Sequence, residues 1–220
     1  MDTTINNVPL LETSTTKFLG LHINNTINWK NHIKEITPKL SSACFAIRSL
    51  QQFLNSSILK TIYFAYFHSI MSYGIIFWGN SADSKNIFLL QKRAIRIIVG
   101  AKVRESCRLF FKKLEILTLT NQYIYSTINF LLCNKENFPT NSAIHSIDTR
   151  RRNDFHTPSS NLSCFQRGVR YMAIKMFNSL PEDIKNHSQN PAVFKVKLKN
   201  YLISHTFYSV DEFLTFHSTV

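Results

Sequence analysis

The chain of 220 residues is predicted to be mainly α, with a small N-terminal β-hairpin, a helical bundle and a small helical C-terminal unit. Three observations predict this. Apolar residues make up 44% of the chain and Phe alone occurs 18 times, which is ample material for a packed core. Only 5 Gly and 6 Pro are present, too few for a turn-dense β architecture or a Gly-lined phosphate loop. Beyond residue 30 the apolar residues recur at steps of three and four, the period of one helix face. These signals divide the chain into a hairpin over 1–30, a helical domain over 31–136, a polar linker over 137–167 and a helical unit over 168–220.

The β signals come first. Ile5, Val8-Pro9-Leu10 and Lys17-Phe18-Leu19-Gly20-Leu21-His22-Ile23 precede Asn24-Asn25, which reads as the turn of a hairpin returning through Ile27 and Trp29. No other sheet is expected. Ile33, Ile36, Leu40, Cys44, Ile47 and Leu50 then mark a helix face, with a kink or break expected at Thr37-Pro38 because proline removes a helical donor. Asn55-Ser56 caps an aromatic helix over 58–78, in which Gly74 marks a close contact or bend. Its polar insertions, Lys60, Thr61, His68, Ser69 and Ser72, favour a buried central helix over a membrane span.

Asp83 or Ser84 caps the next helix, which Gly100 stops. Ile87, Leu90, Ala94 and Ile98 form its apolar face, and Lys85, Lys92 and Arg96 align on another with Arg93 beside them. Helices are expected over 104–114 and 120–134. The stretch 137–163 is rich in Asn, Ser, Thr and Pro, carries Arg150-Arg151-Arg152, and reads as a linker or ordered excursion. Helices resume over 168–180, after Asn190-Pro191, and at Ser209-Val210-Asp211-Glu212, which has capping-box spacing.

Charge narrows the partners more than the chemistry. The net charge is +13, and nine Lys/Arg between residues 85 and 113 face Glu105 alone, a local charge of +8. Nucleic acid and an anionic membrane surface both suit such a balance, as does a merely solvated basic face. No catalytic residue, metal site or cofactor is expected. Cys44, Cys107, Cys133 and Cys164 lie far apart without zinc spacing, and the aspartates include no adjacent pair suited to two shared metal ions. The phosphate-loop, acyl-transfer and zinc-protease signatures are missing from the sequence. His22, His32 and His68 read as structural, and Cys107 beside Arg104 and Arg108 is a candidate for a lowered thiol pKa. An intracellular, reducing location, nucleus or cytoplasm, is expected.

Several segments, taken in order, carry a resemblance. They are Thr16-Lys17-Phe18-Leu19-Gly20-Leu21-His22-Ile23, Asn28-Trp29-Lys30-Asn31-His32-Ile33, Tyr63-Phe64-Ala65-Tyr66-Phe67-His68-Ser69, Ser72-Tyr73-Gly74-Ile75-Ile76-Phe77-Trp78-Gly79, Leu90-Gln91-Lys92-Arg93-Ala94-Ile95-Arg96 and Phe177-Asn178-Ser179-Leu180-Pro181. Together they resemble the C-terminal region, thumb and distal tail, of non-LTR retrotransposon reverse transcriptases of the jockey type, which are RNA-directed DNA polymerases. The resemblance implies that Lys17, Phe18, Leu19 and Gly20 belong to a primer-grip-like hairpin and that the following helices form a thumb. The alternative for Phe18 and Leu19 is ordinary core burial.

The family's Y-x-D-D sequence has no counterpart among these residues, so polymerase activity does not carry over. What the resemblance and the charge together imply is nonspecific binding of RNA, DNA or their hybrid through Lys85, Lys92, Arg93 and Arg96, with Arg150, Arg151 and Arg152 second. The palm of a full-length parent polymerase is the implied protein partner, and no membrane association is expected. A self-associating interaction module built on the aromatic helix is the other reading.

Overall fold

The computed structural model describes residues 4–5, 8–9, 13–145 and 151–216, and it is mainly α. Two separate antiparallel pairs stand at the start, β1 (Thr4–Ile5) with β2 (Val8–Pro9), and β3 (Thr15–Phe18) with β4 (Leu21–Asn24). The second hairpin turns at Leu19-Gly20, not at the asparagines. Both residues have positive φ, 45° and 79°, the backbone that matches the right-handed twist of paired strands. Asn24 instead closes the far end, its side-chain oxygen accepting from the Asn28 N–H at 3.1 Å.

Helix α1 (Lys30–Leu50) runs through Pro38 without a break. Its buried face, Ile33, Ile36, Leu40, Ala43, Cys44 and Ile47, lies on both sides of the proline, so packing holds the two halves together against a penalty of about 3 kcal/mol. Pro38 and Lys34, whose carbonyl loses its donor, are both exposed, and water can serve that carbonyl.

The aromatic segment is not one helix. It divides into α2 (Ser56–Ile62), a π-helical stretch (Tyr63–His68), α3 (Ser69–Ser72) and α4 (Ile75–Trp78). Tyr63, Phe67, Met71 and Ile75 are all buried at a strict spacing of four. Four residues of α-helix turn about 400°, so such a series drifts around the axis, and a wider turn offsets the drift. At Gly74 the φ is +59°, and a Cβ there would sit 2.7 Å from Leu21 Cδ2. The glycine therefore provides both the bend and the seat for the β3–β4 hairpin.

The chain continues through α5 (Ser84–Val99) and the elements after it. They are α6 (Arg108–Leu114), α7 (Leu119–Cys133), α8 (Asn141–Ile144), α9 (Ser163–Gln166), α10 (Val169–Asn178), α11 (Glu182–Lys185), α12 (Pro191–His205) and α13 (Val210–Phe216). Helix α5 packs on α1, and α10 and α12 pack on α7. The buried apolar set runs without interruption from Leu21 to Phe213. The described residues of the polar stretch pack onto the helices: Phe138 and Phe155 are buried, and the Asn178 amide both donates to the Phe155 carbonyl (2.8 Å) and accepts from its N–H (3.1 Å).

One polar side chain sits at the centre. The Gln91 amide of α5 is fully buried and donates to Tyr63 Oη and to the Leu117 carbonyl, each at 2.9 Å, while accepting from the Leu119 N–H at 2.7 Å. Gln91→Leu leaves two backbone groups and a phenol without partners in the core. A loss of about 2–4 kcal/mol in urea-unfolding free energy is expected.

His32, 2% exposed and set between the Trp29 and Trp78 rings, has no hydrogen-bond partner on either nitrogen, and His68 meets Gln122 Oε1 at 3.2 Å. Burial lowers both pKa values below the ordinary 6.5; for His32 the nearby His22 adds to this. The folded state thus prefers neutral rings, and their contribution to stability is complete above pH 6.5, begins to fall there as the unfolded chain takes up protons, and is lost as the pH falls through the lower folded-state values. Unfolding midpoints measured from pH 7.5 to 5.5 should fall, and His32→Leu should flatten that fall.

Candidate nucleic-acid interface

Because Gln91 points inward with Ile87, Ala94, Ile95 and Ile98, the rotation of α5 decides where each basic side chain goes. Lys85 and Arg93 are exposed, whereas Lys92 and Arg96 are half-buried. The four residues aligned in the sequence consequently do different things.

Lys92 faces the tail of the chain. Its Nζ lies 4.7 Å from the Phe88 ring centre and 5.6 Å from that of Tyr208, whose rings meet edge to face at 4.9 Å. Arg108 covers the Tyr208 ring at 4.3 Å, pairs with Glu212 at 2.8 Å and donates to the Thr206 carbonyl at 3.3 Å. Glu212 in turn accepts from the Tyr208 N–H at 2.8 Å, while Ser209 Oγ accepts from the Glu212 N–H at 3.0 Å, the capping box expected for α13. Two cations are thereby committed to docking residues 206–212 on α5 and α6. Lys92 therefore packs its ammonium against these rings while staying half-buried at the surface.

Arg96 donates its Nε to the Glu105 carbonyl at 2.9 Å, tying down the loop after α5. Beneath that loop Cys107 is buried, its thiol donating to the Lys92 carbonyl at 3.6 Å. Burial pushes the Cys107 pKa up, outweighing the pull of Arg96 and Lys92, so the proximity of Arg104 and Arg108 in sequence is incidental to this thiol.

Arg93 opens outward. With Arg96 one turn along and Arg48 from the last turn of α1, it lines a groove of about 420 Å³ that Gln51 and Gly100 border. Arg48 was not legible as a site residue, since nothing near it in sequence is strongly basic and only the α1–α5 packing brings it to Arg93. Exposed Lys102, Arg104, Lys112 and Lys113 continue the basic surface along the loop and α6.

The second basic set lies elsewhere. Arg150 is outside the described residues; Arg151 and Arg152 are exposed on the excursion, and Arg151 lines a cleft of about 1090 Å³ with His145, Asp154, His156 and Lys175. Its lining shares no residue with the groove at Arg93.

The β3–β4 tip is exposed rather than buried. Phe18 is 61% and Leu19 73% accessible, so core packing does not account for them. Lys17 is exposed, and Tyr73 Oη donates to the Leu19 carbonyl, fixing the turn against the bend at Gly74. Gly20 packs on the Tyr73 ring, where an added Cβ would lie 3.4 Å from Cε1.

Comparisons of the chain with protein-family models, with curated proteins and with solved structures gave no match. Among the described residues no helix is long and apolar enough to cross a membrane, and no group of three or more His, Cys, Asp or Glu is placed to hold a metal ion.

The different environments of Lys92 and Arg93 make a direct test. Lys92→Ala removes two ring contacts and should lower stability by about 1–2 kcal/mol, with faster amide exchange in α13. Arg93→Ala should leave the melting temperature unchanged within about a degree, as surface changes do.

Proposed function

We propose that this chain is a thumb-and-tail segment of a reverse transcriptase of the non-LTR retrotransposon type, acting in the nucleus or cytoplasm. In this reading it holds a nucleic-acid backbone, and among the described residues no group of three or more His, Cys, Asp or Glu is placed to hold a metal ion. The observation that carries this reading is the exposure of Lys85, Arg93, Lys102, Arg104, Lys112 and Lys113 along α5, the loop after it and α6. Such a surface neutralises phosphates and releases their counterions without reading bases, so RNA, DNA and hybrid duplexes are all suitable ligands. The exposed hairpin tip, Lys17 to Gly20, supports the same reading as a backbone-contacting element on a fixed base.

A second reading has its own observation. Phe64, Tyr66, Tyr73 and Phe77 are exposed on the aromatic segment, close in sequence to its buried face. They suit a partner protein or a second copy. Self-association that persists at high salt would favour this module over the basic surface.

Fluorescence anisotropy with single-stranded RNA, duplex DNA and an RNA–DNA hybrid tests the main reading. For three neutralised phosphates, binding should tighten about 40-fold between 200 and 50 mM salt, and Arg93→Ala should reduce the slope of log K against log salt by about 0.9. Absence of binding to all three ligands at low salt would sink it.

A further inference from the structure

The groove between the C-terminal ends of α1 and α5 has more built into it than a charged surface needs. Arg48, Arg93 and Arg96 line it together, and Gln51, at the end of α1, adds a neutral amide. Among the described residues no carboxylate lies within ion-pair distance of any of the three arginines. Arg96 uses only its Nε internally, which leaves both terminal nitrogens for an incoming acceptor.

Arg48 and Arg96 complement the negative ends of the helices they stand on, while the hydrogen bonds at those ends are made by backbone N–H groups. Helix α5 closes with Gly100 at φ +70°, whose N–H reaches the Ile97 carbonyl at 3.2 Å, while the Ala101 N–H reaches that of Arg96 at 3.0 Å. Helix α1 closes differently, with Gln51 in right-handed backbone, its N–H donating to the Arg48 carbonyl and the Leu54 N–H to that of Leu50. A Cβ at Gly100 would lie 3.7 Å from the Gln51 amide nitrogen, an ordinary contact, so the positive φ and not lack of space calls for glycine there.

We infer that this groove is a pocket for one phosphomonoester group, the doubly charged phosphate at the end of a nucleic-acid strand or on a free nucleotide. Three arginines line a groove whose volume exceeds that of a phosphate, and a guanidinium fork matches phosphate geometry with paired N–H donors. An internal phosphodiester carries a single charge, whereas a terminal phosphate carries close to two and offers three free oxygens, the better complement to three arginines and an amide. The inference rests on the proposed nucleic-acid reading only for taking the ligand to be a strand end.

The experiment compares calorimetric titrations of the full chain with 5′-phosphorylated and 5′-hydroxyl tetranucleotides of the same sequence, with inorganic phosphate as competitor. The phosphorylated strand should bind at least about tenfold tighter, the effect of adding charge-assisted hydrogen bonds at one site. Arg48→Ala and Arg93→Gln should each bring the ratio of the two affinities close to one; both side chains are exposed, and melting curves check that the variants fold. A generic basic surface predicts equal affinities for the two strands, or a ratio that the variants leave intact, and either result overturns the pocket. Competition by inorganic phosphate assigns the phosphate group alone as ligand. Failure to compete, with the phosphorylated strand still preferred, assigns the strand end, and both support the pocket. Long duplexes that do not bind at low salt would instead remove the proposed function while leaving the two-strand ratio to decide the pocket.

Discussion

The buried amide of Gln91 joins three segments that are distant in sequence: the π-helical stretch through Tyr63, the turn into α7 through Leu117 and Leu119, and α5 itself. That turn is buried, so its backbone groups cannot be served by water and would otherwise remain unpaired. A hydrogen bond to a core amide has geometric demands that apolar packing lacks. It therefore fixes how far α5 is rotated about its axis as well as where it lies.

That rotation assigns the cations. With Gln91 inward, Lys92 stands at the edge of the core and meets Phe88 and Tyr208, while Arg93 lies on the far side and opens outward. The tail of the chain depends on the same arrangement, because Tyr208 docks between Lys92 and Arg108 and Thr118 Oγ1 donates to the Phe207 carbonyl at 2.7 Å. Basic residues that look equivalent along the sequence are thus divided between holding the fold and facing solvent. The arginines left over converge with Arg48 where α1 and α5 end together.

The hairpin is presented by a similar chain of constraints. The break at Tyr73-Gly74 creates a hollow that Leu21 fills, and the Tyr73 hydroxyl reaches back to the Leu19 carbonyl. A short sheet of two strands is marginal alone, so its position is set by these contacts with the helical body. Phe18 and Leu19 remain outside as a result, held in place by backbone anchoring and not by burial of their own side chains.

Much of the fold was legible because its signals are local. The mainly α class, the stop at Gly100, the cap at Asn55, the Asn190-Pro191 start and the Ser209–Glu212 capping box follow from propensities and spacings that act within a turn or two. The sequence by itself also determined the basic stretch around residues 85–113. Tertiary structure decided the rest. Pro38 stays inside a helix since apolar faces on both sides of it are buried; the aromatic segment divides where Leu21 and the spacing-of-four core demand it; and the hairpin turns at Leu19-Gly20 where Tyr73 can hold it. Which cations pack and which remain free was likewise settled by the rotation of α5, an outcome of contacts across 28 residues of sequence between Tyr63, Gln91 and Leu119 that no local pattern encodes.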